Sequence, residues 1–390
     1  MEMRLNDVLS KRVNNVSESA TVSTSAKASK MASEGKKVIN FGVGEPDFTT
    51  PGGEIQYAFD QAKAGFTHYT PSAGYAELRT KISNKINREK HDLKGENVIV
   101  TPTKFAINLA IMAIADEGDE IIIPEPYFLS YPEICRIYGV KPVEVPSNPD
   151  FSLNIENIER NITPRTRGII ISNPCNPTGK VFSPEEIRSL QKLCIDEDIY
   201  FIQDQIYEEL VYEGRVQDVL ELDPEMKNTI LISGFSKSYA MTGWRIGYLV
   251  SSPDFIKAVD KLQQQTITCA PSISQKAAIF ALDDTKSPKE MKEVFRKRRD
   301  LVVDIIKAID GLTLIKPEGA FYVFPSYDLN LTSSKFCQLA LDSYGILLTP
   351  GSAFGKQGEG HFRISYALSE DKLREGLDLL EKFMIDQRRI

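Results

Sequence analysis

Lys237 and Arg245 stand in one run, Gly234-Phe235-Ser236-Lys237-Ser238-Tyr239-Ala240-Met241-Thr242-Gly243-Trp244-Arg245-Ile246-Gly247. The apolar stretch just before it, Thr229-Ile230-Leu231-Ile232-Ser233, reads as a buried strand, so the lysine falls at a strand end. A desolvated lysine there has a lowered pKa and becomes a usable amine nucleophile. An arginine nearby supplies a planar, bidentate clamp for phosphate. Most single lysines are solvated surface groups. An amine together with a phosphate clamp is what a pyridoxal 5'-phosphate (PLP) site needs.

Four other residues stand where they could complete such a site. The strand-like Tyr200-Phe201-Ile202-Gln203 leads into Asp204, with Tyr207 shortly after. An aspartate at a strand end often serves a turn. A buried carboxylate facing a pyridine nitrogen keeps that nitrogen protonated and makes the ring an electron sink. After Gly168-Ile169-Ile170-Ile171-Ser172 comes Asn173-Pro174-Cys175-Asn176-Pro177-Thr178-Gly179, a turn by composition. Its two prolines also stiffen a loop that would aim the Asn176 amide at a ligand oxygen. Arg363 lies in the apolar Phe362-Arg363-Ile364-Ser365, where an unpaired guanidinium is costly and needs a carboxylate.

These motifs resemble those of class I aminotransferases of PLP fold type I, aspartate aminotransferase-like members above all. The resemblance covers about residues 36 to 370. It implies that Lys237 bonds the cofactor and that Arg245 and Ser236 hold its phosphate. Asp204 would face the ring nitrogen, and Asn176 and Tyr207 would donate to the phenolic oxygen. Arg363 would grip the substrate α-carboxylate. Asn40-Phe41-Gly42-Val43-Gly44-Glu45-Pro46-Asp47-Phe48 matches a segment in which Gly44 lets backbone approach that carboxylate. Tyr127, after Pro126, matches the aromatic that stacks on the ring. Tyr69, in His68-Tyr69-Thr70-Pro71-Ser72-Ala73-Gly74, matches a tyrosine that reaches the neighbouring subunit's phosphate, which implies a homodimer. One turn departs from the pattern. Val100-Thr101-Pro102-Thr103-Lys104-Phe105-Ala106 has no glycine where the family places backbone N–H groups around the phosphate. Thr103 remains able to add a hydroxyl there, and Lys104 matches the lysine that reaches a substrate's distal carboxylate in some aspartate-type members.

The elements that must position these residues are legible. Val98-Val100, Glu120-Ile123, Val143-Val145, Gly168-Ile171, Tyr200-Ile202, Thr229-Ile232 and Gly247-Val250 are short, apolar and rich in β-branched residues. Continuous apolar strands are buried on both faces. Helix-length segments separate them, such as the one opening at Ser183-Pro184-Glu185-Glu186 with a Ser cap, Pro in the first turn and Glu at the third position. The pattern predicts an α/β fold with a mostly parallel seven-stranded sheet flanked by helices. After about residue 285 the texture becomes that of a smaller α+β domain. The expected division is an N-terminal segment over 1–45 that packs on the small domain or a partner, a large PLP-binding domain over 46–284 and a small domain over 285–390. The run Arg296-Lys297-Arg298-Arg299 reads as a solvated face or a partner contact.

Composition narrows the partners. The net charge of −7 argues against nucleic acid, while local arginines can still draw an anionic substrate. Five widely spaced cysteines, with no Cys-x-x-Cys pair, favour neither a disulfide framework nor a metal site. No apolar stretch approaches the ~18 residues of a membrane span, and no leader pattern opens the chain, so a cytoplasmic location is expected. A nicotinamide dehydrogenase would want a third glycine after Gly42-Val43-Gly44, and no phosphate-binding P-loop occurs. A non-catalytic effector sensor on the same fold finds no attached DNA-binding module. The expected function is transfer of an amino group from an L-amino acid, aspartate first, to a 2-oxo acid, 2-oxoglutarate first. Aromatic- or alanine-type aminotransferases and PLP β-lyases are the alternatives.

Overall fold

All seven strand-like segments between Val98 and Val250 pair into one sheet. In the computed structural model, which describes residues 9–18, 26–28, 30–31, 33–87 and 90–389, these are β2 (Val98–Thr101), β3 (Glu120–Glu125), β4 (Lys141–Pro146), β5 (Thr166–Ser172), β6 (Tyr200–Asp204), β7 (Thr229–Gly234) and β8 (Gly247–Val250), preceded by β1 (Ile39–Asn40). Their order is β2-β8-β7-β6-β5-β3-β4. Only β8 runs antiparallel to its neighbours. β2, β3, β7 and β8 are buried along their whole length. Alternate side chains serve opposite layers. Ile121, Ile123, Ile202, Ile230 and Ile232 join the cluster of the helix Thr103–Ile114, while Ile122, Ile169, Ile171 and Phe201 join that of the helix Pro184–Asp196. The latter helix starts at a capping box, in which Ser183 Oγ accepts from the Glu186 N–H and Glu186 Oε2 accepts from the Ser183 N–H at 2.7 Å.

The C-terminal part holds β9 (Leu312–Thr313), β10 (Tyr322–Val323), β11 (Ser326–Tyr327), β12 (Ile346–Leu347), β13 (Thr349–Pro350) and β14 (Phe362–Ser365). β14 lies between β10 and β13, antiparallel to both. The helices Ser287–Ala308, Ser333–Tyr344 and Glu370–Gln387 cover these strands around Phe295, Phe336, Phe362 and Phe383. The 296–299 run is not a solvated face throughout. Arg298 makes a bidentate pair with Asp47 at 2.7 and 3.0 Å, and Arg299 pairs with Glu213 at 2.9 Å, both guanidinium groups buried. Two of four consecutive helical residues point at the core side, and carboxylates from distant segments neutralise them.

The N-terminal expectation divides. β1 pairs in parallel with β12, and the Ser365 N–H donates to Phe41 O, so residues 39–41 join strands of the C-terminal part. Residues 10–18 lie elsewhere, with the Ser17 N–H donating to Glu133 of the helix Ser130–Ile137. Residues 1–8 and 19–25, on which part of that expectation rests, are outside the described residues. No helix among the described residues is long and apolar enough to cross a membrane.

Candidate active site

β5, β6 and β7 are parallel neighbours, so their carboxyl ends open on one crevice, the usual place for ligands in α/β sheets. Asn176 follows β5, Asp204 ends β6 and Lys237 follows β7. With the Arg363 strand on the opposite side they enclose a cavity of about 270 Å³. Its wall includes ten of the expected residues: Gly44, Thr103, Lys104, Asn176, Asp204, Tyr207, Ser236, Lys237, Arg245 and Arg363.

Lys237 Nζ donates to Gly44 O at 2.5 Å. Burial pushes the amine down to about 8, and Arg363 and Arg245 push the same way against Glu45 and Asp204. Asp204 is displaced oppositely, to about 6, because burial penalises its charge more than its hydrogen bonds recover. Its carboxylate accepts from Tyr131 Oη at 3.0 Å and from the Ile206 N–H at 3.1 Å. The pair thus offers an amine near neutrality and a carboxylate held in a dry wall.

Arg363 is 2 % exposed. Nη1 donates to Asn176 Oδ1 at 2.9 Å and Nη2 to Gly42 O at 3.0 Å, while Nε has no partner. The guanidinium lies 4.4 Å from the Tyr322 ring centre and 5.1 Å from that of Phe354. No carboxylate among the described residues forms an ion pair with it. A structural salt bridge therefore does not account for this arginine. A buried cation with a free donor, opening on a cavity, calls for an anionic ligand.

The corner expected to hold phosphate is built differently from a glycine-rich turn. The helix Thr103–Ile114 begins directly after Pro102, and Thr103 and Lys104 of its first turn line the cavity. Thr103 fits its hydroxyl against the facing glycines Gly234 and Gly247, 3.5 Å from Ser233 O. The missing glycine of the turn is thus compensated by glycines on two strands. Arg245 adopts a left-handed backbone, φ 54°, with Nη1 donating to Thr242 O at 2.9 Å. Such strain in a non-glycine residue concentrates at functional sites. Lys104 sits at the rim with its amine lowered by burial and then by Arg245.

Two expectations change. Tyr127 does not line this cavity; its neighbour Phe128 does, and Tyr127 turns towards Pro124, Tyr131 and Cys175. The chain leaves β3 after Glu125 and bends into the helix Ser130–Ile137, and on that bend it is Phe128 that meets the cavity. Gly44 has room for a Cβ, 3.4 Å from the Tyr322 hydroxyl, whereas a Cβ on Gly42 would collide with Leu347. Backbone closeness is therefore demanded at Gly42, whose carbonyl meets Arg363. Tyr69 lies outside the cavity and is 85 % exposed. Sequence reasoning also missed Tyr131 and Tyr322, the latter with its hydroxyl 2.9 Å from that of Tyr207. Both occupy apolar stretches where a tyrosine reads as core; only their partners single them out.

This arrangement fits PLP. The buried carboxylate, the amine, a phosphate corner of helix N-terminus, Ser236 and Arg245, and an apolar face at Phe128 surround one space of suitable size. When bound, the cofactor supplies an aldehyde for the substrate amine and a ring that draws electrons from its Cα. Comparison with known proteins agrees. The family model described as aminotransferase class I and II matches residues 36–380. A probable aspartate/prephenate aminotransferase of Aquifex aeolicus is 38 % identical over 387 residues, covering 96 % of this chain and 98 % of the relative. The aspartate aminotransferase of Bacillus subtilis is 38 % identical with the same coverage. The structure of Thermus thermophilus aspartate aminotransferase with maleate superposes with a TM-score of 0.92 at 36 % identity, covering 96 % of this chain and 99 % of that one. The match over most of the length, at these identities, makes the chain a PLP-dependent enzyme of the aminotransferase class I and II family.

Proposed function

We propose that this aminotransferase moves the amino group of L-aspartate to 2-oxoglutarate and works as a homodimer. The observation that carries the carboxylate-binding half of this reading is Arg363, buried, without an acidic partner and bonded to Asn176. It holds the substrate α-carboxylate and so points the Cα towards Lys237. The Lys237 amine, with its lowered proton affinity, takes the Cα proton and would deliver it to the cofactor C4′ carbon, two bonds away. Asp204 holds charge opposite the ring nitrogen, kept in place by Tyr131. Asn176 and Tyr207 donate to the phenolic oxygen. Lys104 at the rim receives the distal carboxylate, and the names of the relatives support a dicarboxylic substrate.

A second reading has its own observation. Phe128, Leu129 and Ile107 make one wall apolar, which suits an aromatic substrate side chain. We assign residues 46–284 to the cofactor unit and 285–390 to the unit that carries Arg363. The exposed Tyr69 supports a role at the partner's site, and five free cysteines suit a reducing cytoplasm.

The test is the half-reaction. Purified yellow holoenzyme mixed with single L-amino acids, without oxo acid, loses its visible absorbance fastest with aspartate and glutamate. Faster discharge by phenylalanine moves the substrate to the aromatic class. Lys237→Ala binds cofactor noncovalently and loses turnover by several orders of magnitude. Retained transamination in that variant overturns the role of Lys237.

A further inference from the structure

Tyr322 is not needed to explain any contact that the proposed reaction assigns, yet it touches two groups of the site at once. It is fully buried in β10. Its hydroxyl lies 2.9 Å from that of Tyr207, and its ring sits under the Arg363 guanidinium at 4.4 Å. The two tyrosine rings meet edge to face, 5.8 Å apart at 81°. β10 pairs with β14, so Tyr322 is opposite Ser365 and moves with the strand that carries Arg363. Tyr207, by contrast, follows β6 of the large sheet. The hydroxyl pair therefore bridges the two sheets inside the cavity.

We propose that Tyr322 is a positioning residue that transmits occupation of the Arg363 site to the Tyr207 hydroxyl. This inference rests on the aminotransferase reading above. Two phenol protons are available for the hydroxyl pair. When Tyr207 donates to the phenolic oxygen of the cofactor, its own oxygen accepts from Tyr322, so the chain of donation runs Tyr322 to Tyr207 to cofactor. Hydrogen bonds in series strengthen one another. A cation on the face of the Tyr322 ring withdraws electron density and makes that phenol the better donor. A substrate carboxylate on Arg363 neutralises the cation, and the donation passed to Tyr207 weakens. The charged and titratable groups around the pair are Arg363, Asp204 and Lys237. Both phenols are held protonated by burial, so they act as donors throughout the working pH range. The consequence is directional. Weaker donation to the phenolic oxygen makes the lysine-linked cofactor more basic when a carboxylate arrives.

The experiment is a pH titration of the visible absorbance of holoenzyme, with and without maleate as a non-reacting dicarboxylate. Tyr322→Phe keeps the ring and its stacking and removes only the hydroxyl. In the wild type maleate raises the absorbance midpoint. In Tyr322→Phe the ligand-free midpoint rises by up to about one pH unit, the scale of the one neutral hydrogen bond lost between the phenols, and the further rise caused by maleate shrinks. A maleate-induced rise equal to that of the wild type overturns the proposal, whatever the ligand-free midpoint does. Holoenzyme that no amino acid discharges overturns instead the aminotransferase reading. A folding defect alone does not mimic the expected result, because it lowers the amount of yellow protein without moving the midpoint.

Discussion

Asp204 and Lys237 each pay for function with stability, in opposite directions on the pH scale. The Asp204 carboxyl is raised from its ordinary 3.8 to about 6, so its uncharged form is the one the fold prefers. That contribution is complete below about pH 4 and lost as the pH rises through 6. The Lys237 amine is lowered from 10.5 to about 8, so its contribution is complete above about pH 10.5 and lost as the pH falls through 8. Near pH 7 both are charged, each at a desolvation cost that bound cofactor would offset. Apoprotein carrying Asp204→Asn is therefore expected to melt higher than wild-type apoprotein at about pH 7.5, by up to about 3 kcal/mol in stability, with the gap closing below about pH 4. Thermal unfolding of both apoproteins across pH measures this. A variant less stable than wild type at neutral pH would assign the carboxylate to structure instead.

At the scale of elements, the corner proposed to hold phosphate depends on how closely one helix start meets two strands. Gly234 and Gly247 face each other across β7 and β8. A Cβ on Gly247 would run into the Thr103 hydroxyl and come within 2.8 Å of Ser233 O. Gly247→Ala must therefore push the start of the helix Thr103–Ile114 away from the strands. Overpacking of this kind costs roughly 1–3 kcal/mol. The expected result is a lower melting temperature together with weaker cofactor affinity, read by equilibrium dialysis of PLP. Unchanged affinity in a destabilised variant would show that this corner does not hold the phosphate. The turn without glycine was legible in the sequence as a departure, but its remedy was not, since the compensating glycines lie far away in the chain.

At the scale of the whole molecule, residues 42–47 act as a strap between the two sheets. Gly42 meets Arg363, Gly44 meets Lys237, Glu45 Oε2 accepts from Thr242 Oγ1 at 2.7 Å, and Asp47 holds Arg298. Movement of the small sheet thus reaches both ends of the site. The proposed dimer adds a partner's Tyr69, and it gives a test that no single chain can pass. Tyr69→Phe is expected to bind PLP more weakly, and Lys237→Ala to be inactive. Mixing the two under conditions that exchange subunits restores one complete site per mixed dimer, so activity rises above the sum of the separate variants. No gain on mixing, with exchange verified by mass, would place Tyr69 outside the partner's site.

By itself the sequence determined the seven strands, the capped helix at Ser183 and the order of Asn176, Asp204, Lys237 and Arg363, because apolar runs, turn residues and motif spacing are local properties. The tertiary structure decided what depends on facing. It placed Phe128 rather than Tyr127 in the cavity, since the bend between β3 and the helix Ser130–Ile137 decides which ring turns inward. It placed the close approach at Gly42 and turned Arg298 and Arg299 inward to carboxylates distant in sequence. It also brought Tyr131 to Asp204 and Tyr322 to Tyr207. A buried tyrosine has the same apolar signature whether its hydroxyl meets a core neighbour or a reacting group, and only folding supplies the partner that distinguishes them.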